Sequence, residues 1–402
     1  MRKVRLSPRT HQGVTVERKL SEEDVALQNE LRAFFENEVP DHLKNSYMKD
    51  GEAVPEILRE SQKFLDEHNL AAPQWPEEWG GRGWDELQLH IYRSELQRAG
   101  LPSPLPFNIN MVGPVIAAFG SQELKERFLP KTKSLEIWWS QGFSEPDSGS
   151  DLASLRTTAV REGDEWVVNG QKTWTTLGQY GDWIFTLVRT DPKADKPQKG
   201  ISFLLIDMKS EGLTVRPIKL IDGGVEVNEV FFDNVRVPAD QLVGQENKGW
   251  DYAKFLLGNE RTSAAPVGSI KAALAQAKQH ARETRSPNGT ALDDPLLAAR
   301  FAELEAEVMA LELTVLRVAG DSRDGRPDPA SSILKLRGSE LQQEVFELMV
   351  DVAGVEALTW HTGDWSGETL PRYLNFRKAS IYSGSNEVQR NIISGGILGL
   401  RG

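Results

Sequence analysis

The sequence predicts an α+β protein whose three parts follow one another in the order α, β, α. Three observations lead to this prediction. Apolar residues recur at helical spacing through the first third of the chain, short β-branched and aromatic runs separated by turn residues fill the middle, and helical spacing returns after Gly244. With 402 residues, of which 39% are hydrophobic, the chain is long enough to bury more than one core.

The first helical part is expected over residues 21–130, after a basic N-terminal arm at 1–20. The arm is expected to lie outside the fold as a surface segment, with an organelle transit segment as the alternative. Ser21 precedes an amphipathic pattern with acids in its first turn, which predicts a capped helix. Further helical stretches are predicted near 55–68, 85–99 and 109–128, because proline- and glycine-rich segments separate them.

The central part, residues 131–245, is predicted to be a barrel-like β domain, and residues 246–402 a C-terminal bundle of helices. Within the β part, Asn169-Gly170 predicts a hairpin turn, since this dipeptide favours tight two-residue connections. Side chains alternate along a strand, so Trp174 and Thr176 are expected on one face of the strand that follows.

Composition excludes several classes of function. A formal net charge of −12 argues against nonspecific binding to nucleic acid or to an anionic membrane, because both favour a basic surface. The chain has no cysteine, which excludes disulfides, thiolate metal sites and iron–sulfur clusters and fits a cytoplasmic location. The six histidines are scattered, neither the nucleotide phosphate-loop motif nor the dinucleotide glycine motif occurs, and no metal site is predicted. No apolar run is long enough to predict a membrane span.

Small and hydroxyl side chains are concentrated between Gln141 and Asp151, in the sequence QGFSEPDSGSD. Such a loop lets backbone amides approach a ligand closely, and without a lysine it suits a neutral ring better than a triphosphate. The same composition also forms ordinary loops. Trp174 and Thr176 could stack on and hydrogen-bond to a planar cofactor, or simply belong to the core. The residues alone leave both interpretations open.

Five motifs in a fixed order resemble the acyl-CoA dehydrogenase family over nearly the whole chain: FSEPDSGSD from Phe143, NGQKTW from Asn169, FFDNVRVP, KGW with NER, and IYSGSNEVQR from Ile381. The resemblance implies a helical N-terminal domain, a central β domain and a C-terminal four-helix bundle. It also implies bound FAD and an acyl-CoA substrate that is oxidised to its α,β-unsaturated product.

The resemblance further assigns roles to individual residues. It implies FAD contacts for Gln141, Phe143, Ser144, Gly149, Ser150, Trp174, Thr176, Ser385 and Glu387, and for Arg285 toward the diphosphate of a neighbouring subunit's FAD. It implies substrate contacts for Ser150, Arg261 and Tyr382.

The position of the catalytic base departs from the commonest family pattern. Many members have a glutamate where this chain has Ser383, and a serine cannot remove the α-proton at neutral pH. A minority place the carboxylate on the first helix after the β domain, immediately before an arginine, and Glu260-Arg261 matches that pattern. The resemblance therefore implies Glu260 as the base, with Glu387 as the second choice.

Departures from the family pattern also bear on the assembly. The R-x-x-F-G motif after Arg285 is missing, and only Gly354 remains of a paired-glycine motif. Such chains are similar to pimeloyl-CoA dehydrogenase large subunits and steroid side-chain dehydrogenases. The resemblance implies a homo-tetramer or a mixed tetramer with a smaller related subunit, and an electron-transfer flavoprotein or similar acceptor. A non-catalytic partner subunit and a flavin-dependent acyl-CoA oxidase or monooxygenase are the alternative functions.

Overall fold

The computed structural model describes residues 20–49, 52–259, 265–287, 289–321, 329–359 and 365–400. The N-terminal part is helical, with a short β1–β2 hairpin between its first two helices. Its elements are α1 (Glu22–Asn37), β1 (Met48–Lys49), β2 (Glu52–Ala53), α2 (Pro55–Glu67), α3 (Glu86–Arg98), α4 (Gly113–Phe119) and α5 (Gln122–Lys133).

Helix α1 begins as the sequence predicts. The Ser21 side chain accepts a hydrogen bond from the Asp24 backbone, and the Asp24 carboxylate accepts one from the Ser21 backbone. This reciprocal cap satisfies two N–H groups that the first turn would otherwise leave unpaired. The apolar face of α1 buries Leu31 and Phe35 in a core shared with α3, where the Phe35 ring lies 6.1 Å from that of Tyr92.

The helical stretch expected over 109–128 is not one helix. A π-helical turn, Phe107–Val112, leads into α4, and the backbone at Gly120 is extended. Helix α5 then starts afresh, because the Ser121 hydroxyl accepts from the Leu124 N–H. The helical spacing of apolar residues continues across the break, so periodicity alone could not reveal it.

The middle of the chain forms one seven-stranded curled sheet. Strands β3 and β6 are parallel, and the long β5–β9 pair is antiparallel. The main path runs β3-β6-β4-β5-β9-β8, with β7 paired to β6. The strands are β3 (Trp139–Gly142), β4 (Thr158–Glu162), β5 (Glu165–Thr176), β6 (Trp183–Arg189), β7 (Ile201–Asp207), β8 (Leu213–Ile218) and β9 (Val227–Pro238).

The hairpin turn expected at Asn169-Gly170 is wrong, because both residues lie inside β5. The Asn169 side chain hydrogen-bonds to Asn234 on β9, and the β5–β9 register shifts between Val168 and Gly170. Gly170 has a φ of +148°, and a Cβ there would approach the Thr157 hydroxyl to 2.5 Å. Asn169-Gly170 therefore forms a β-bulge. The turn that joins β4 to β5 lies between Glu162 and Glu165.

The C-terminal part is again helical. Helix α9 runs through its centre and packs against α7, α8, α10 and α11, whereas α6 packs on β7 and α4. Its elements are α6 (Gly249–Asn259), α7 (Val267–Glu283), β10 (Arg285–Ser286), β11 (Gly289–Thr290), α8 (Pro295–Asp321), α9 (Ser331–Ala353), α10 (Trp365–Asn375) and α11 (Asn386–Gly396). None of the helices in the described ranges has the length and apolar character needed to cross a membrane.

A buried carboxylate joins α1 to α3 and leads to a testable pH dependence. Glu95 accepts from Arg32 at 2.7 and 3.1 Å and from Arg98 at 2.7 Å. Burial alone would raise the pKa of Glu95, but the two arginines outweigh it and hold the pKa below its usual range.

Glu95→Gln is therefore expected to lower the free energy of unfolding at pH 7. The ionised form stabilises the fold above the unfolded-state pKa of about 4.3, and this stabilisation is lost as the pH falls through the lower folded-state value. Urea denaturation of wild type and variant at pH 7 and at progressively lower pH would measure the difference. A difference that stays constant over this range would contradict the assignment.

Candidate functional site

The loop that leaves β3 is fixed by apolar packing on one side and by β5 on the other. The buried Phe143 ring lies 5.8 Å from the Phe185 ring and 6.3 Å from the Phe203 ring, both edge-on. The Ser144 carbonyl accepts from the Thr173 N–H at 2.9 Å. Gln141 and Ser144 are half-buried. The loop predicted from its composition thus lies directly beside the end of β5.

A buried ion pair holds this loop in place. The Lys172 ammonium, 0% exposed, donates to the Glu145 carboxylate at 2.7 Å and to the Phe143 carbonyl at 3.2 Å. Glu145 also accepts from the backbone N–H groups of Arg156 and Thr157 at 2.6 and 2.9 Å. Burial by itself would raise the pKa of Glu145, but Lys172 and these hydrogen bonds outweigh it and lower the pKa. The carboxylate therefore stays ionised.

The end of β5 presents an indole to solvent. A register shift between Lys172 and Thr175 marks a second bulge, and Trp174 has a left-handed φ of +60°. Its side chain is 59% exposed, while Thr173 and Thr175 on either side are buried. Thr176, two residues further along β5, is half-buried. A large apolar ring held outward in a strained backbone conformation is a functional-site signal.

The segment before α11 forms a tight turn. Ser383 and Gly384 both have left-handed φ values, +52° and +79°. Ser385 caps α11, its hydroxyl accepting from the Val388 N–H. Glu387, exposed in the first turn of α11, has its pKa lowered by its own backbone N–H and by Ser385. An exposed, strongly ionised carboxylate makes a poor proton acceptor.

A buried lysine of α9 holds this turn by a hydrogen bond to the first residue of α11. Lys335 on α9, 5% exposed, donates to the Asn386 side-chain oxygen at 3.0 Å, and Ser339 donates to the same oxygen at 3.0 Å. The Gln389 amide donates to the carbonyls of Ser383 and Gly384. Burial lowers the pKa of Lys335 to about 8. The turn is therefore positioned by side chains from two helices.

A cavity of about 740 Å³ separates the N-terminal helices from the C-terminal bundle. Tyr382, Ser383 and Gly384 line it, together with residues of α3 and α9. Leu257 and Ala265, which flank the segment holding Glu260 and Arg261 in sequence, also line it. A cavity of this size between packed helices is typical of a site for a small organic ligand.

The remaining predicted residues are dispersed. Gly149 and Ser150 lie exposed in the turn that precedes β4, and Arg285 is exposed in the small β10–β11 hairpin. Glu260 and Arg261 lie outside the described residues. The structure thus brings Phe143 and Ser144 beside the end of β5 and places Tyr382 at the cavity, while Arg285 stands on a separate surface feature.

Sequence reasoning missed the residues that hold the site together. Strict alternation places Lys172 on the same side of β5 as Trp174, and the register shift between Lys172 and Thr175 breaks this alternation, so no sequence signal marks Lys172 as buried. The signal for Lys335 is a lysine on the apolar face of a helix. The partners of these two lysines are 27 and 51 residues away in sequence. Arg93 on α3 gave no comparable signal.

The fold and the arrangement of these loops define an acyl-CoA dehydrogenase. The N-terminal, middle and C-terminal domains of that family match residues 21–136, 140–235 and 247–398. The chain belongs to the acyl-CoA dehydrogenase family, whose members are flavoprotein oxidoreductases acting on acyl-CoA thioesters.

Relatives and solved structures agree with this membership. The chain is 34% identical to acyl-CoA dehydrogenase FadE26 of Mycobacterium tuberculosis over 93% of this chain and 96% of the relative. It is 38% identical to acyl-CoA dehydrogenase IpdE1 of the same species over 81% and 83%. It superposes on a chain of the ChsE4–ChsE5 complex from M. tuberculosis with a TM-score of 0.83 and 33% identity, covering 96% of this chain and 99% of that one. A Tcur3481–Tcur3483 steroid acyl-CoA dehydrogenase gives 0.82 and 29%, covering 94% and 98%.

Proposed function

We propose that this chain is a catalytic acyl-CoA dehydrogenase in which Glu260 removes the α-proton of the thioester. The observation that carries the proposal is the cavity wall. Ser383, which cannot serve as a base, lines the cavity where many relatives have their glutamate, and Leu257 and Ala265 on either side of Glu260 line the same cavity. A carboxylate in such a place gains basicity from desolvation.

The proposed flavin is FAD, and two features of the described residues fit a flat cofactor. The Trp174 indole is exposed near the end of β5 with the half-buried Thr176 two residues further on, and open space surrounds the Gly149 position. When bound, FAD supplies the acceptor for the hydrogen that leaves the β-carbon as hydride. Phe143, Ser144, Gln141, Ser150, Ser385 and Glu387 are proposed to complete its contacts.

The protein's own share of the reaction is orientation and proton transfer. Tyr382 and Arg261 are proposed to position the acyl group, and Ser150 the coenzyme A portion. Glu260 takes the α-proton, and the proton remains on its carboxyl group until product leaves. Enclosing the thioester between α3 and the C-terminal bundle keeps water from competing for the base.

Anaerobic mixing of the purified flavoprotein with short, long, dicarboxylic and steroid acyl-CoA thioesters tests the proposal. At least one class is expected to remove the absorbance of oxidised flavin within seconds. The same reaction in air, with peroxide measured, separates a dehydrogenase from an oxidase. A chain that holds flavin but is reduced by no member of the set would contradict the proposal.

We infer that the physiological assembly is a tetramer, either of this chain alone or mixed with a smaller related subunit, that passes electrons to an electron-transfer flavoprotein or similar acceptor. Similarity to a chain from the ChsE4–ChsE5 complex supports the mixed form. The loss of family motifs around Arg285 and Gly354 supports it too.

The same departures favour a second candidate, a non-catalytic subunit that completes a partner's site. Ser383 in place of the usual glutamate is the specific observation behind it. Flavin content and native mass of the chain expressed alone separate the two candidates. A stoichiometric flavin that acyl-CoA reduces supports the catalytic role, and a flavin-free chain supports the partner role.

A further inference from the structure

Helix α3 presents a polar stripe to the cavity. Glu86, His90, Arg93 and Gln97 all line it, and their spacing of three to four residues places them on one face of the helix. A cavity that accepts only a plain alkyl chain is expected to be lined by apolar side chains, because an alkyl chain cannot replace the hydrogen bonds of displaced water.

Arg93 has unused donor capacity. Among the described residues its nearest acid is Glu86 at 3.9 Å, beyond hydrogen-bonding distance, and its guanidinium donates no hydrogen bond to any of them. Arg32 and Arg98, which flank the same core, each hydrogen-bond to Glu95. Burial lowers the pKa of Arg93, so the half-buried guanidinium lacks full hydration. Among the described residues no acceptor lies within hydrogen-bonding distance of this guanidinium, so its donors beside the cavity are available to an acceptor on the ligand.

The charge around Arg93 is already balanced. The Glu86 carboxylate lies close enough to offset the positive charge of the guanidinium. Its Oε2 atom is buried and accepts no hydrogen bond from a described residue. Burial lowers the pKa of His90, with Arg93 and Lys271 acting in the same direction and Glu312 opposing them. The imidazole is therefore neutral at pH 7, and Lys271 and Glu312 pair with each other at 3.0 Å. A carboxylate on the ligand would be repelled by the negative charge of Glu86, whereas a neutral oxygen would not be.

We propose that the cavity takes an acyl group that carries a neutral oxygen, a ketone or a hydroxyl, away from the thioester, and that Arg93 donates to this oxygen. The inference rests on the proposed function, since it names the substrate class of that site. Arg93 is then a specificity-determining residue, and Glu86 positions its guanidinium.

The test uses straight-chain acyl-CoA thioesters of several lengths, each with a methyl, hydroxyl, ketone or carboxylate terminus. Both kcat/KM for flavin reduction and Kd by calorimetry are measured on the whole flavoprotein. At the best length, the hydroxyl or ketone form is expected to exceed the methyl form by about 10- to 100-fold, the range of one hydrogen bond to a charged donor. No preference at any length, or a preference for the carboxylate, would overturn the proposal.

Two variants identify the donor. Arg93→Met is expected to reduce the ratio of oxygenated to plain substrate to near one, and Arg93→Lys, which keeps the charge without the planar fork, to retain part of it. Arg161→Met, at an exposed arginine of the β domain, is the matched control and is expected to keep the wild-type ratio. An unchanged ratio in Arg93→Met would overturn the assignment. If no thioester reduces the flavin, the proposed function fails, yet the Kd ratios still decide this inference.

Discussion

Replacing Glu260 with glutamine is expected to slow flavin reduction by acyl-CoA about 10²- to 10⁴-fold, the usual contribution of a positioned general base. The amide keeps the size of the side chain but cannot accept the α-proton. Flavin content and acyl-CoA affinity are expected to change little, because the lost interaction forms mainly in the transition state. Stopped-flow measurement of flavin bleaching under anaerobic conditions gives the rate constant directly.

Two further Glu→Gln changes make the result specific. Glu246→Gln alters an exposed acid before α6 and is expected to react at the wild-type rate. Glu387→Gln alters the second-choice base, whose exposed position and lowered pKa argue against proton abstraction. If Glu387→Gln loses flavin reduction while Glu260→Gln retains it, the base is Glu387 and the proposed assignment is wrong.

The order of domains could be predicted from the sequence because it depends on local periodicity. The cap at Ser21 is likewise local, since it depends on neighbours within a few residues. The hairpin turn expected at Asn169-Gly170 is wrong for the opposite reason. The Asn169 side chain bonds to Asn234, 65 residues away, and that partner turns an expected hairpin into a bulge.

The motif residues could be predicted from local sequence, whereas the cavity depends on contacts between distant segments. A motif can indicate that Tyr382 and Ser383 belong to a site, but it cannot show that α3 supplies the opposite wall of the cavity. That wall is set by helix packing between segments about 290 residues apart, as the positions of Arg93 and Tyr382 illustrate. That Arg93 donates no hydrogen bond to a described residue becomes visible only once the surrounding side chains are placed.

Breaking the Glu145–Lys172 pair is expected to have the largest effect on stability. Glu145→Gln leaves an ammonium that is 0% exposed without its carboxylate, which costs about 3–5 kcal/mol in comparable buried pairs. Asp195→Asn makes the same chemical change in an exposed pair, Asp195–Lys199, and is expected to cost under about 1 kcal/mol. Urea denaturation at pH 7 compares the two variants.

Glu145→Gln is also expected to lose flavin, because Glu145 belongs to the loop beside Trp174 and holds the Lys172 ammonium that donates to the Phe143 carbonyl. Absorbance of the purified variant measures this loss. The double variant Glu145→Leu with Lys172→Met removes both charges and is expected to recover stability beyond either single change, since no unpaired charge stays buried. Flavin binding is expected to stay impaired in the double variant, because an apolar pair cannot hold the Phe143 carbonyl. A Glu145→Gln protein as stable as Asp195→Asn and fully loaded with flavin would show that the ion pair does not support the loop.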